Sequence, residues 1–312
     1  MSKSRYDPFY FLAKKHGFRS RAAFKLIEIN KHYKFLENST GIIDLCAAPG
    51  SWIQVAKKIS PNGSLILGID AQKIRPIKSC YFLRGDISSS SIIKTILKIK
   101  KIDKRKINVI LHDGAPKIGG NWLKDVFNQN EMVLFALKIG ICTLENGGCF
   151  ISKIFRSEFL HGILYISRCF FEKVKLFKPL SSRLSSTEIY LICINFKNPV
   201  EVDPLFFSTD YVFGFGQDIL TKQAPLIKKK NMDINLSEMS FLNSVRSTRG
   251  KSTNLKVYSN FDDEFQCIVG INLFSNALLK KAPLNFYKRG DLFREKLLKK
   301  WCSSILEKIG SK

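Results

Sequence analysis

A mostly parallel, seven-stranded α/β sheet covered on both faces by helices, with an antiparallel strand at its end, is the fold class this chain predicts. Three observations predict it. Short apolar runs alternate with amphipathic stretches from Gly41 to about residue 200, and strands alternating with helices mean parallel strands joined by crossovers. The first run, Ile42-Ile43-Asp44-Leu45-Cys46, breaks into the small residues Ala47-Ala48-Pro49-Gly50, and a helical pattern starts at once with Ser51-Trp52. A strand–turn–helix opening of that kind lets a ligand approach the backbone and offers it free helix N–H groups. The last two apolar runs have only a loop, Lys178 to Thr187, between them, so they pair as a hairpin and one of them runs antiparallel.

Taken in order, the strand candidates are 41–46, 64–69, 81–84, 107–112, 147–154, 173–177 and 189–196, with helices at 51–59, 88–101, 124–143 and 157–172. Before them, residues 1–19 are basic and aromatic (Lys3, Arg5, Tyr6, Phe9, Tyr10, Lys14, Lys15, Arg19). Ser20 is the expected N-cap of a helix with Arg21 and Lys25 on its surface and Phe24, Leu26 and Ile27 on its apolar face. After Pro199 the regularity fades, and Lys228-Lys229-Lys230 and Arg246–Lys251 read as loops or basic linkers. Phe293, Leu297, Trp301 and Ile305 recur every four residues and predict one basic amphipathic helix. The expected organisation is a catalytic-type domain over 1–200 and a small, basic, mainly helical extension over 201–312.

The chain has 51 Lys+Arg against 26 Asp+Glu, a net charge of +25, a field that attracts polyanions, nucleic acid first among them. A lysine-rich background composition and a membrane-surface role are the plainer explanations of charge alone. The 45% hydrophobic content, with 25 Phe, is enough for a sizeable core and argues against wholesale disorder. Eight scattered cysteines without C-x-x-C spacing read as buried free thiols of a reducing compartment. No signal-peptide core opens the chain and no apolar run reaches spanning length, so a soluble, intracellular protein without membrane contact is expected. Four isolated histidines offer no metal-ligand spacing, and no metal is expected.

Ligands of open α/β sheets bind outside the carboxyl ends of the strands. The residues that fall there are the Cys46–Trp52 turn, Asp70, Asp86, His112-Asp113-Gly114-Ala115-Pro116, Lys153 and, from the hairpin, Glu188. Each acid taken singly has an ordinary explanation as a helix cap or turn former. The turn lacks both the three-glycine spacing of a dinucleotide site and the Gly-Lys-Ser/Thr of a phosphate loop. His112 reads as a packed strand-end residue rather than a catalyst.

These stretches, with Arg19-Ser20-Arg21-Ala22-Ala23-Phe24-Lys25-Leu26, Ser152-Lys153-Ile154-Phe155-Arg156 and Ser181-Ser182-Arg183 leading to Glu188, resemble the FtsJ-type 2′-O-ribose RNA methyltransferases, continuously and in order from residue 4 to about 200. The resemblance implies a Rossmann-like methyltransferase fold and S-adenosyl-L-methionine as cofactor. It places Gly50 and Trp52 on the methionine side, Asp70 on the adenosine ribose, Asp86 on the adenine edge and Asp113 near the reacting methyl. It also assigns Lys25, Asp113, Lys153 and Glu188 as the catalytic tetrad. His112 to Pro116 followed by Trp122, Asp125, Phe127 and Gln129 resembles the nucleolar branch, which methylates large-subunit precursor ribosomal RNA. That implies pre-ribosomal RNA and the pre-large-subunit particle as partners and a nuclear, nucleolar location. Lys117 departs from the asparagine usual there, and the long acidic middle and separate C-terminal domain of that branch do not occur in these 312 residues.

A ribose 2′-hydroxyl is a poor nucleophile and must lose its proton as it attacks. Lys153 is therefore expected to act as base or alkoxide stabiliser, oriented by Asp113 and Glu188, with Lys25 as the neighbouring cation that depresses its pKa or steers the ribose. Alignment of nucleophile, methyl and leaving sulfur supplies much of the rest. Phosphate contacts are expected from the basic N-terminus and from residues around 228–251 and 280–300, and a single-stranded nucleotide is the expected acceptor. Two alternatives remain at this point: a tRNA anticodon-loop 2′-O-methyltransferase, and a non-catalytic pre-ribosome assembly factor.

Overall fold

The seven apolar runs form one seven-stranded sheet, and its strand order decides where every polar side chain of interest ends up. A computed structural model describes residues 7–116, 120–183, 186–199, 201–213, 226–229 and 232–235. The elements are α1 (Pro8–Lys15), α2 (Ala22–Tyr33), β1 (Gly41–Leu45), α3 (Ser51–Ile59), β2 (Leu65–Asp70), β3 (Tyr81–Arg84), α4 (Ser90–Asp103), β4 (Val109–His112), α5 (Trp122–Thr143), β5 (Cys149–Phe155), α6 (Leu160–Phe170), β6 (Phe171–Phe177) and β7 (Glu188–Phe196). They assemble in the order β3-β2-β1-β4-β5-β7-β6. β1 pairs in parallel with both β2 and β4, and its five residues are all buried, as a central strand covered on both faces requires.

Right-handed crossovers put α3 on one face, where it packs with α2, and the series α4, α5, α6 on the other. The expected antiparallel strand is β7, the last of the seven in chain order. It lies one place in from the edge, antiparallel to both β5 and β6. The α6 crossover drops β6 in the outermost position, and the hairpin then returns the chain into the gap beside β5.

Local chemistry explains the helix boundaries. Asp7 caps α1 by accepting the Phe9 N–H at 3.2 Å, with Pro8 in the first turn, so a helix forms inside the basic N-terminal stretch for which none was expected. Ser20 sits one residue before the cap of α2; its hydroxyl accepts the Ala22 N–H at 3.3 Å and donates to Ser51 Oγ at 2.8 Å. Ser89 and Asn121 cap α4 and α5.

The packed body continues past residue 200. β8 (Glu201–Val202) pairs with a strand over Leu226–Lys229, so Lys228 and Lys229 lie in a strand and not in the loop expected there. A 3-10 turn over Pro204–Phe207 and a short helix, α7 (Thr209–Phe213), lie against α6: Phe206 is fully buried with its ring 5.2 Å from that of Phe170, and Phe213 stacks 4.7 Å from Phe159. Lys117, Arg246–Lys251 and the helix expected at 293–305 lie outside the described residues.

Gly162 is what lets this segment close. A Cβ there would fall far inside van der Waals contact with the Val212 carbonyl oxygen. Gly→Ala in an exposed helix stabilises by about 1 kcal/mol. In α6 the sign is expected to reverse, with Gly162→Ala costing about 1–3 kcal/mol as α7 is lifted from α6. Thermal unfolding with limited proteolysis of 204–213 measures it, and a raised Tm would show that the two backbones do not touch.

Candidate functional site

Sheet register brings the distant polar residues together. In the β5–β7 ladder Lys153 lies opposite Tyr190 and Phe155 opposite Glu188, so Lys153, Tyr190 and, two residues away, Glu188 share one face. β4 pairs His112 with Ser152, which leaves Asp113 at the carboxyl end of its strand beside Lys153. Because β7 runs against its neighbours, its first residue emerges at the edge where the parallel strands end. α2 lies over the same face and contributes Lys25.

Lys25, Asp113, Lys153 and Glu188 therefore converge, as two ion pairs. Lys25 Nζ lies 2.7 Å from Glu188 Oε1, and Lys153 Nζ lies 3.4 Å from Asp113 Oδ1 while donating to the Asp113 carbonyl at 2.8 Å. Lys25 thus answers Glu188 across the site, where the sequence had suggested it as a cation facing Lys153. Tyr190 stands between the pairs. Its hydroxyl donates to Asp113 Oδ1 at 2.7 Å, and the Lys25 ammonium lies 5.7 Å from its ring centroid.

Burial alone would raise the Asp113 carboxyl. The Lys153 and Lys25 charges and the Tyr190 bond outweigh it and hold Asp113 below the usual carboxylate range. Burial, then the Asp113 and Glu188 charges, push the Tyr190 phenol well up, so it serves as a neutral donor. Ser182 Oγ donates to Glu188 Oε1 at 2.8 Å, and the Gln129 amide donates to the carbonyls of Gly114 (3.1 Å) and Lys153 (3.3 Å).

The other half of the site is the turn after β1. Gly50, at φ +102°, is the N-cap of α3 and supplies no side chain to its first amides. Arg19 braces the turn through the carbonyls of Pro49 (2.8 Å), Arg75 (2.6 Å) and Pro76 (3.0 Å). Trp52 turns its indole inward: it is 2% exposed, donates to the Ala22 carbonyl at 2.8 Å and packs 5.9 Å from the Tyr190 ring, so its side chain joins α2 to β7. Asp70, at the end of β2, accepts the Ala48 N–H at 2.9 Å and the Gln72 N–H at 2.7 Å, one on each carboxylate oxygen. Asp86 is exposed just beyond β3 and accepts the Ser88 N–H at 2.9 Å.

Asp44 is buried with Oδ2 lacking a hydrogen-bond partner, and burial followed by the Asp113 and Asp70 charges raises its carboxyl far above the usual range. Cys46 packs where a Cβ on Gly114 would fall 2.8 Å from its sulfur, and burial with the Asp70 and Asp44 charges pushes its thiol up to about 12, which makes it an inert thiol. Among the described residues no group of three or more His, Cys, Asp or Glu could hold a metal ion, and no helix is long and apolar enough to cross a membrane.

Tyr190 and Ser182 escaped the choice of site residues. For Tyr190 the signal was its two-residue spacing from Glu188 on a strand.

Comparison with known proteins adds to this geometry. A family model described as FtsJ-like methyltransferase matches residues 18–196. A pre-rRNA 2′-O-ribose RNA methyltransferase of Dictyostelium discoideum is 42% identical over 231 residues, covering 74% of this chain and 27% of the relative. An AdoMet-dependent rRNA methyltransferase of Schizosaccharomyces pombe is 44% identical over 223 residues, covering 70% of this chain and 27% of that protein. The chain thus spans about a quarter of the length of these curated relatives. A solved structure described as a ribosomal RNA methyltransferase of Plasmodium falciparum is 33% identical, with a TM-score of 0.51, covering 57% of this chain and 98% of its own.

His112, next to Asp113 in the chain, lies against this site. It is fully buried, with Nδ1 2.7 Å from Ser152 Oγ. Loss of solvent, then the Lys153 charge, lower its pKa from 6.5 to about 3. The folded value lies below the unfolded one, so protons favour the unfolded chain. The His112 contribution is complete above pH 6.5 and is lost as pH falls toward about 3, by up to about 1.4 kcal/mol per pH unit. His112→Gln is expected to flatten the stability slope between about pH 6.5 and 4 in urea titrations, and an unchanged slope would exclude this ring as the titrating group.

Proposed function

Since the chain belongs to the FtsJ-like methyltransferase family, we propose that its folded domain methylates a ribose 2′-hydroxyl of large-subunit precursor ribosomal RNA, using S-adenosyl-L-methionine, during ribosome assembly in the nucleolus. The observation that carries this reading is the meeting of Lys25, Asp113, Lys153 and Glu188 at the carboxyl edge of the sheet.

The residues around the β1 turn fit the cofactor. The charges of Asp70 and Asp113 flank the buried Asp44 carboxyl, whose Oδ2 lacks a partner, and this negative field is one that a cationic ligand relieves. The first amides of α3, which Gly50 leaves without a side-chain cap, suit a carboxylate. Each oxygen of Asp70 accepts one backbone N–H and keeps capacity for a ribose hydroxyl, and exposed Asp86 is free on its outer side for an adenine edge. When bound, S-adenosyl-L-methionine supplies an electrophilic methyl group on a sulfonium.

The chain's own residues do the rest. Lys153 Nζ, held by the Asp113 carbonyl and carboxylate, is the group placed against the 2′-hydroxyl: once it has released its own proton to solvent, the free amine takes the hydroxyl proton as the oxygen attacks, and the ammonium so formed stabilises the charge on that oxygen. Asp113 is in turn fixed by Tyr190 and kept ionised, so it orients Lys153 without giving up a proton. The Lys25–Glu188 pair receives the acceptor ribose, and Gln129, bonded to the carbonyls on both sides of the Lys153–Asp113 contact, keeps the two strand ends in step. RNA is drawn in by the net charge of +25.

Incubation with labelled donor and immature ribosomal particles, followed by mapping of the methylated sugar, tests the reading. Lys153→Ala is expected to lower the rate about 10²- to 10⁴-fold while donor binding persists, and a near wild-type rate would end the assignment. RNA affinity is expected to fall linearly on a log–log plot against salt, with a slope of about −0.7 per phosphate contacted; filter binding across a salt series measures it, and a flat line would remove the electrostatic account.

A further inference from the structure

Arg21, Lys25 and Glu28 follow one another along one stripe of α2 and its cap; Arg21 and Glu28 reach the chain between β6 and β7, and Lys25 reaches the first residue of β7. Glu28 is 3% exposed, and its two carboxylate oxygens accept the N–H groups of Leu180 (2.5 Å) and Ser181 (2.9 Å). Arg21 donates to the Ser181 carbonyl. The Ser182 N–H bonds back to the Pro179 carbonyl at 3.0 Å, which closes a turn. From that turn the Ser182 hydroxyl reaches Glu188 Oε1 at 2.8 Å, the same oxygen that Lys25 meets at 2.7 Å. One carboxylate oxygen of the tetrad is therefore held from two sides, directly by α2 and through a loop that α2 also holds.

We infer that Glu28 is a positioning residue, which fixes the 179–182 turn so that Ser182 and Lys25 together set the Glu188 carboxylate. The inference rests on the methyltransferase reading above and adds a residue to it. A carboxylate spanning two adjacent backbone N–H groups is a two-point, charge-assisted attachment. It stops the turn from rotating about either bond. Released from it, the turn would carry Ser182 away from Glu188, and Glu188 would follow Lys25 alone. Small displacements of that kind change rate rather than donor affinity, because the donor side of the site is built on β1, β2 and α3, which the 179–182 turn does not touch through any of these bonds.

Glu28→Gln keeps the shape but turns an NH2 toward one of the two N–H donors. The expected result is a fall in kcat of about 10- to 100-fold, with the KM for S-adenosyl-L-methionine within about threefold of wild type. Amide hydrogen exchange at Leu180 and Ser181 is expected to speed up at least about tenfold while β4 and β5 stay protected. Because Glu28 acts through Ser182, the Glu28→Gln/Ser182→Ala pair is expected to lose no more than the worse single variant. Additive losses, an equal loss of donor affinity, or faster exchange with kcat unchanged would each overturn the assignment. Should Glu28→Gln fail to fold, Glu28→Asp, too short to span both amides, is put through the same measurements and the same criteria. A wild-type protein that transfers no methyl to RNA would instead sink the functional reading, and the exchange measurement would still decide whether Glu28 holds the turn.

Discussion

The pairing of β7 against β5 is the constraint on which the rest depends. In a wholly parallel sheet, the strand next to β5 would begin at the amino edge, and a residue at its start would lie a full strand length from the ligand side. Reversing that one strand brings Glu188 to the carboxyl edge, puts Tyr190 opposite Lys153 and leaves Asp113 within reach of both. Two lysines and two carboxylates can then be buried together because each charge has a partner and the remaining lone pairs have donors in Tyr190 and Ser182.

The sheet itself was largely legible. Period and length located all seven strands to within two residues, because apolar runs that must be buried on both faces are hard to place elsewhere. The four tetrad positions were legible through the family resemblance, and the geometry brings them together. What the resemblance did not convey is the pairing. The chemistry of a lysine base suggested Lys25 as a cation facing Lys153, whereas the register gives each lysine its own carboxylate, with Tyr190 between the pairs. Pairing follows from which strand ends adjoin, which no linear motif states.

The parts that were not legible share a cause. α1 was hidden because basic and aromatic residues dominate its short sequence, and only the Asp7-Pro8 cap betrays it. Gly162 gave no sign that α7 would close over it. The resemblance implied Trp52 on the methionine side but said nothing of its ring, which turns inward to Ala22 and Tyr190. Apart from α1, each outcome depends on a contact between segments distant in the chain. Glu28 belongs with them: only the loop folded against α2 explains the burial of this acid.

The bare backbone at Gly114 has a wider consequence. With no side chain to keep them apart, the strand end that bears Asp113 rests on Cys46 and His112, so the chemical centre and the donor cradle form one stiff block. A protein built this way has little freedom to retune its chemistry piecemeal. On the proposed reading, variation in which RNA is accepted must then arise at the periphery, at outward-facing side chains such as Phe11 and Arg183.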